Sequence, residues 1–224
     1  MTIGAVKIAV DGAGEVSALW QAPKKPRVCL VLAHGAGAGM THVAMTAIAD
    51  GLAVRGVATL RYQFPSMERG SRRPDAPAVA HAAVRAAVAD AATRAPRLPL
   101  FAGGKSFGGR MTSQAQALAP LNSVRGLVFF GFPLHAAGKP SAERADHLAS
   151  IGIPMLFLQG TRDALADLSL LRPVVAGLGR SATLKLFEDA DHSFHVPAKT
   201  GRKDEEVLAD VFDAAATWMT ANGP

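Results

Sequence analysis

A serine, an acid and a histidine follow one another along this chain in an order that nucleophilic chemistry can use. The serine is Ser106. Before it, an apolar run from Leu98 to Ala102 predicts a short buried strand; after it, a helical pattern runs from Arg110 to about Leu118. Gly104-Lys105-Ser106-Phe107-Gly108 matches the pattern G-x-S-x-G in the strand–turn–helix setting that the pattern requires. A serine on so sharp a turn takes a strained, positive-φ backbone. Residues two places away are then pressed against strand and helix, where a Cβ would clash. Gly104 and Gly108 fill those places, with Gly103 and Gly109 as further relief. The turn lifts the hydroxyl to a helix N-terminus, whose free N–H groups favour developing negative charge.

A serine hydroxyl needs a base to take its proton and an acid to orient that base. On this kind of turn the chain order is Ser, then Asp or Glu, then His. Asp163 follows the predicted strand Pro154 to Gln159, and His192 follows the predicted strand Thr183 to Phe187. Both therefore fall at strand ends, on the rim where open parallel sheets form their sites. Asp167 competes with Asp163, and Asp189 and Asp191 are poorer candidates; His195 competes with His192. The other five histidines lie outside the required order. His34, at a strand end, is expected to fix its loop by hydrogen bonds, and His81 to be a satisfied helical residue.

Two phosphate-binding patterns are excluded. Gly104-Lys105-Ser106 would fit a P-loop only with a glycine at position 99, which is proline. His34-Gly-Ala-Gly-Ala-Gly-Met40 has methionine where a dinucleotide fingerprint needs glycine or alanine. The small residues of that loop have another use. They let the main chain approach a reacting carbonyl, so that Phe107 N–H and the N–H of Ala36 or Gly37 form an oxyanion hole.

The elements that must position these residues alternate. Residues 3–10 and 17–22 predict two strands joined by a turn at 11–14. From Arg27 onward, strands at 27–33, 57–62, 124–130, 154–159 and 183–187 alternate with helical stretches at 42–55, 78–95, 141–150, 166–177 and 203–221. A long polar loop is expected from Gln63 to about Pro77, and Pro173 is expected to shorten or kink its helix. Strand–helix alternation implies an α/β fold: a mostly parallel, doubly wound sheet flanked by helices, as one domain over residues 1–224 with no large lid.

Composition narrows the classes. Hydrophobic residues make up 49% of the chain and charged residues 19%, enough apolar mass for one core. The single cysteine, Cys29, lies in an apolar strand run and reads as core. With no internal disulfide, no apolar run of membrane-spanning length and no signal-peptide pattern, a cytoplasmic protein is expected. The net charge is +6, and Arg69-Gly-Ser-Arg72-Arg73 is the densest basic knot. No aromatic residues interleave with it, so a solvated loop is expected rather than a nucleic-acid surface. No metal, cofactor, membrane or nucleic-acid partner is expected; the partner is a small-molecule substrate.

Taken together, the chain resembles the α/β-hydrolases, and more closely the small lidless dienelactone-hydrolase-like group, the KANL/Tex-like family. The resemblance covers about residues 27–212. It rests on His34-Gly-Ala-Gly, Arg61-Tyr-Gln-Phe-Pro, Gly103-Gly-Lys-Ser-Phe-Gly-Gly-Arg110, Gly131-Phe-Pro-Leu-His135, Gly138-Lys-Pro140, Gln159-Gly-Thr-Arg-Asp163 and Asp191-His-Ser-Phe194. It implies Ser106 as nucleophile, Asp163 as acid and His192 as base. Ser66, where relatives tend to carry an aromatic, Phe132, where tyrosine is usual, and Ala136-Ala137, in place of a more proline-rich pair, alter the expected pocket walls.

The expected activity is hydrolysis of a small carboxylic ester or thioester through an acyl-enzyme. The expected walls of the pocket are Phe64, Met67, Phe132 and Leu134. Lys105 and Arg110 flank the turn and raise the expectation of an anionic substrate. The competing readings are a non-catalytic interaction protein on the same scaffold, and an acyltransferase or peptidase using the same three residues.

Overall fold

The computed structural model describes residues 1–223. Its first two strands, β1 (Thr2–Val10) and β2 (Gly14–Ala22), form an antiparallel hairpin. The alternation follows: β3 (Val28–Ala33), α1 (Val43–Ala53), β4 (Val57–Tyr62), α2 (Pro65–Glu68), α3 (Pro77–Arg94), β5 (Leu100–Lys105), α4 (Phe107–Leu118) and β6 (Val124–Phe130). A 3-10 helix at Glu143–Ser150, β7 (Met155–Gly160), α5 (Leu168–Gly177), β8 (Ala182–Phe187) and α6 (Asp204–Ala221) complete it. The strands make one eight-stranded sheet in the order β1-β2-β4-β3-β5-β6-β7-β8. β2 pairs antiparallel with β4, and every pair from β4 to β8 is parallel.

Residues of opposite parity in each central strand feed opposite cores, because successive side chains leave a strand on opposite faces. In β3, Val28, Leu30 and Leu32 pack with Met45, Ile48 and Leu52 of α1 and Val207 and Val211 of α6. Cys29, Val31 and Ala33 pack on the other face, with Ala80, Ala83, Val84 and Ala87 of α3 and Met111 of α4. Strands covered on both faces read as continuous apolar runs, which is why they stand out in the sequence. The alanine spacing of α3 follows from the same geometry: small side chains on one face let the helix lie close to the sheet. Cys29 is fully buried, and burial pushes its thiol up to about 12, so it stays a protonated core residue.

Four local predictions need correction. The strand before Ser106 does not stop at Ala102; it continues through Gly103, Gly104 and Lys105. These glycines mark close packing within the sheet. A Cβ on Gly103 would stand 1.9 Å from the carbonyl oxygen of Val128 on β6. The helix after Ser106 begins at Phe107 rather than Arg110. Gly108 and Gly109 lie inside its first turn, their helical cost accepted because a Cβ on Gly108 would stand 2.6 Å from the carbonyls of Ala33 and His34. The polar loop after Gln63 contains one helical turn, α2, started by Pro65 at its first position. Pro173 sits inside α5, which runs on past it to Gly177.

β3 is the point where the strand order turns back: β4 lies on one side of it and β5 on the other. Loops leaving adjacent parallel strands on opposite faces open a crevice at their C-terminal ends. The loop after β3 carries Gly35 and Ala36; the turn after β5 carries Ser106. A Cβ on Gly35 would stand 3.9 Å from that of Ser106, so the two loops meet.

Candidate active site

Ser106 is held at φ 52° and ψ −118°, in the left-handed half of backbone space. Such a conformation costs about 1–3 kcal/mol and persists only where its surroundings enforce it. Enforcement is visible. The Ser106 amide donates to the Phe130 carbonyl at 3.3 Å, Gly104 and Gly108 press on the backbone of β3, and Thr112 Oγ1 donates to the Gly108 carbonyl at 2.8 Å.

Asp163 is buried after β7, and its carboxylate is held from three sides. Oδ2 accepts from His192 Nδ1 at 2.6 Å and from Gln159 Nε2; Oδ1 accepts from the Leu165 amide at 2.8 Å. Gln159 is itself fixed, its Oε1 accepting from the Phe132 amide at 2.9 Å. With Nδ1 donating to the carboxylate, the other ring nitrogen of His192 is free to accept a proton. That atom, Nε2, is buried and has no hydrogen-bond partner among the described residues. It is not hydrogen-bonded to Ser106 in this structure, and such bonds are often loose until substrate arrives.

Asp167 does something else: it caps α5, its carboxylate accepting from the Ser169 amide at 2.8 Å. His195 is exposed and pairs with Asp204 at the start of α6. Asp191 shapes the loop that carries the imidazole, accepting from the amides of Ser193 and His195 at 2.7 and 3.0 Å. His34 fixes its loop, as expected. Its Nδ1 donates to the Gly35 carbonyl at 2.8 Å, Nε2 accepts from the Phe64 amide at 3.0 Å, and burial lowers its pKa. His81 is half-buried against Gln114 at 3.3 Å.

The loops bearing Asp163 and His192 are stapled together. The Thr161 amide donates to the Phe187 carbonyl at 3.0 Å, the Arg162 amide to the Ala190 carbonyl at 2.9 Å, and the Asp189 amide to Thr161 Oγ1 at 2.8 Å. Gly160 makes this possible, since a Cβ there would stand 2.2 Å from the Ala190 carbonyl oxygen and 2.6 Å from that of Asp191. Gly160→Ala is therefore expected to separate the two loops. It should lower stability by about 1–3 kcal/mol, as overpacking does, and weaken any activity that uses both residues. Urea melts and steady-state rates on the same preparation check both halves.

A cavity of about 440 Å³ opens beside Ser106, lined by Phe107, Ala36, Arg110, Met111, Arg144 and Pro133 among others. Ala36 is thus on its wall, and Gly37 is one position further out, at φ 68° against Arg72. The expected walls do not form it. Phe132 and Leu134 are fully buried, with Phe132 edge-to-face against Phe129 and Phe157; Pro133 between them, also buried, is the one that borders the cavity. Phe64 is buried between the rings of His34, Tyr62 and Phe107, and Met67 lies against Gly39. Lys105 does not line the cavity either: its amine donates to the His192 carbonyl. Of the expected substrate contacts, Arg110 alone lies on the wall. Arg144 was not singled out from sequence, and Gln159 entered only within the motif Gln159-Gly-Thr-Arg-Asp163, with no role of its own. A glutamine closing an otherwise apolar strand was a usable signal; an arginine on a 3-10 helix was not.

A family model described as an alpha/beta hydrolase domain matches residues 26–220. The chain belongs to the alpha/beta-hydrolase family. Its fold is that of a dienelactone-hydrolase-like member. A dienelactone hydrolase from Anabaena variabilis superposes with a TM-score of 0.75 at 20% identity, covering 97% of this chain and 96% of that one. A serine hydrolase without a lid from Xanthomonas campestris gives 0.74 at 20% identity, covering 97% and 95%. The esterase domain of a Rhodothermus marinus protein gives 0.74 at 16% identity, covering 99% of each chain. At these identities the structures share an architecture with this alpha/beta hydrolase, and its chemistry must be argued from its own residues. No helix among the described residues is long and apolar enough to cross a membrane.

Proposed function

We propose that this chain is a serine hydrolase cleaving a small carboxylic ester or thioester through an acyl-enzyme on Ser106. The observation that carries the proposal is the 2.6 Å bond from His192 Nδ1 to Asp163, on the same rim as a serine in strained positive-φ geometry. A scaffold without chemistry has no use for that strain, nor for a buried imidazole nitrogen with no partner.

The steps follow from the groups present. Ser106 Oγ attacks the ester carbonyl carbon as His192 Nε2 takes the hydroxyl proton, and Asp163 stabilises the imidazolium. The oxyanion lies between the amides of Phe107 and Ala36, both from residues on the cavity wall. The tetrahedral intermediate collapses, the C–O or C–S bond breaks, and the departing alcohol or thiol takes the proton from His192. A water then attacks the acyl carbon, gives its proton to His192, and releases the acid as Ser106 regains its hydrogen. A cavity of about 440 Å³ suits small acyl groups.

A fluorophosphonate probe tests the reading. Intact-mass analysis should find one phosphonyl adduct per chain, peptide mapping should place it on Ser106, and Ser106→Ala should take none. A folded wild-type protein that stays unlabelled, while a control serine hydrolase labels, would overturn it.

A further inference from the structure

The wall of the cavity beside Ser106 includes two arginines, Arg110 and Arg144, whose charges lie close enough to act on each other. Neither forms an ion pair or a side-chain hydrogen bond among the described residues. Arg55, Arg69, Arg94 and Arg202, by contrast, each hold a carboxylate. Arg110 lies one helical turn beyond the serine, its amide donating to the Ser106 carbonyl at 3.1 Å. Its guanidinium rests over the Phe107 ring, 5.9 Å from the centroid, and its Nε is buried with no acceptor.

A buried donor left unmade is costly, and two like charges facing one half-buried cavity add to that cost. Burial and the nearby charge of Arg144 both lower the pKa of Arg110. The one carboxylate on the same wall, Asp75, does not compensate them. One of its oxygens accepts from Arg69 at 2.8 Å and the other from the Ser66 amide at 2.7 Å. The vicinity of Arg110 also holds His147 and His81, whose pKa values burial lowers first and the charge of Arg110 lowers further.

We infer that Arg110 and Arg144 form a carboxylate-binding subsite, and that the substrate is an ester or thioester carrying a free carboxylate near its scissile carbonyl. Guanidinium groups suit this task because their fork of N–H donors matches the two oxygens of a carboxylate. The assignment rests on the proposed chemistry at Ser106 and narrows its substrate class. It also revises the sequence-based pairing of Arg110 with Lys105, because the lysine amine is engaged elsewhere. The carboxylate can belong to the acyl part or to the alcohol part of the substrate.

The test compares kcat/KM for matched esters. Mono-p-nitrophenyl succinate and glutarate against p-nitrophenyl butyrate probe a carboxylate on the acyl side; 4-acetoxybenzoate against phenyl acetate probes the alcohol side. One anionic series should be preferred, and Arg110→Gln or Arg144→Gln should cut the anionic-to-neutral ratio roughly 10- to 100-fold each. Equal use of charged and neutral esters in both series, or a ratio that neither substitution moves, overturns the subsite while leaving the hydrolase intact. A second readout does not need turnover. Titration calorimetry of Ser106→Ala with glutarate should show saturable binding that is lost in the triple variant Ser106→Ala/Arg110→Gln/Arg144→Gln. Glutarate binding of that kind with no ester cleaved by wild type would keep the subsite and reject the hydrolase. Absence of glutarate binding together with no charge preference rejects the subsite. Arg144→Gln, on a 3-10 helix at the surface, keeps the test usable if Arg110→Gln fails to fold.

Discussion

Asp163→Asn is expected to lower kcat by about three to four orders of magnitude with little loss of folded protein. The reason lies in which atoms donate. Oδ1 accepts from the Leu165 amide, so the oxygen of the asparagine is held there and its NH2 takes the place of Oδ2. That NH2 then faces His192 Nδ1, which must become an acceptor. The imidazole proton moves to Nε2, the nitrogen proposed to receive the proton of Ser106. The ring stays in place in the wrong tautomer. Gln159 cannot rescue it by flipping, because its Oε1 is committed to the Phe132 amide. Ser106→Ala should cost at least as much, and the double variant should be no worse than the serine variant alone, since the groups act as a unit. Asp167→Asn is the control. It touches the cap of α5 and should leave the rate essentially unchanged. Single-turnover rates on an activated ester check the set, and an Asp163→Asn protein within tenfold of wild type would remove Asp163 from its proposed role.

The parts of this site that were legible in the sequence are those enforced by short-range rules. Glycines around Ser106 are demanded by backbone clashes a few ångströms away, and they survive as a local pattern. Strand–helix alternation follows from burial on both faces of the sheet. The placement of Asp163 and His192 beside one another was readable because strand ends define the rim; their roles belong to the proposed mechanism. What was not legible depends on the direction of single side chains. Phe132 and Leu134 looked like pocket walls because they follow a strand at the rim, yet the irregular segment after β6 sends both side chains into the core and leaves only Pro133 bordering the cavity. Lys105 looked like a substrate contact because it adjoins Ser106. Adjacent residues leave a strand in opposite directions, and the lysine reaches across β6 toward the His192 loop instead. Arg144 reaches the cavity through tertiary packing of the 3-10 helix against α4, for which the sequence carries no periodic signal.

Lys105→Met is expected to lower kcat/KM about 10- to 100-fold, the scale of a misplaced catalytic group, and to change how stability responds to pH. The amine, one residue before the serine, donates to the His192 carbonyl and lies 5.6 Å from the Phe194 ring centroid. It therefore ties the loop bearing the imidazole to the strand bearing the hydroxyl. A Cβ on Gly131 would stand 3.1 Å from this amine and 3.2 Å from His192 Cε1, so the three sit in one knot. Burial lowers the lysine to about 8, against the opposing pull of Asp163 and Asp191. A folded-state pKa below the unfolded value means that the unfolded chain binds more protons between them. Stability from this group is therefore complete above the ordinary lysine range, near 10.4, and is lost as pH falls through about 8. The stability of wild type relative to Lys105→Met should rise between pH 8 and 10 and be flat below 7. In parallel, wild-type kcat/KM should fall along an alkaline limb with a midpoint near 8, as the amine loses the charge that strengthens its bond to the carbonyl. That limb should be missing from Lys105→Met, which is slow at every pH. Urea melts and pH–rate profiles of the two proteins decide it. A stability difference that does not move across this window, with identical profile shapes, would leave Lys105 no part in holding His192.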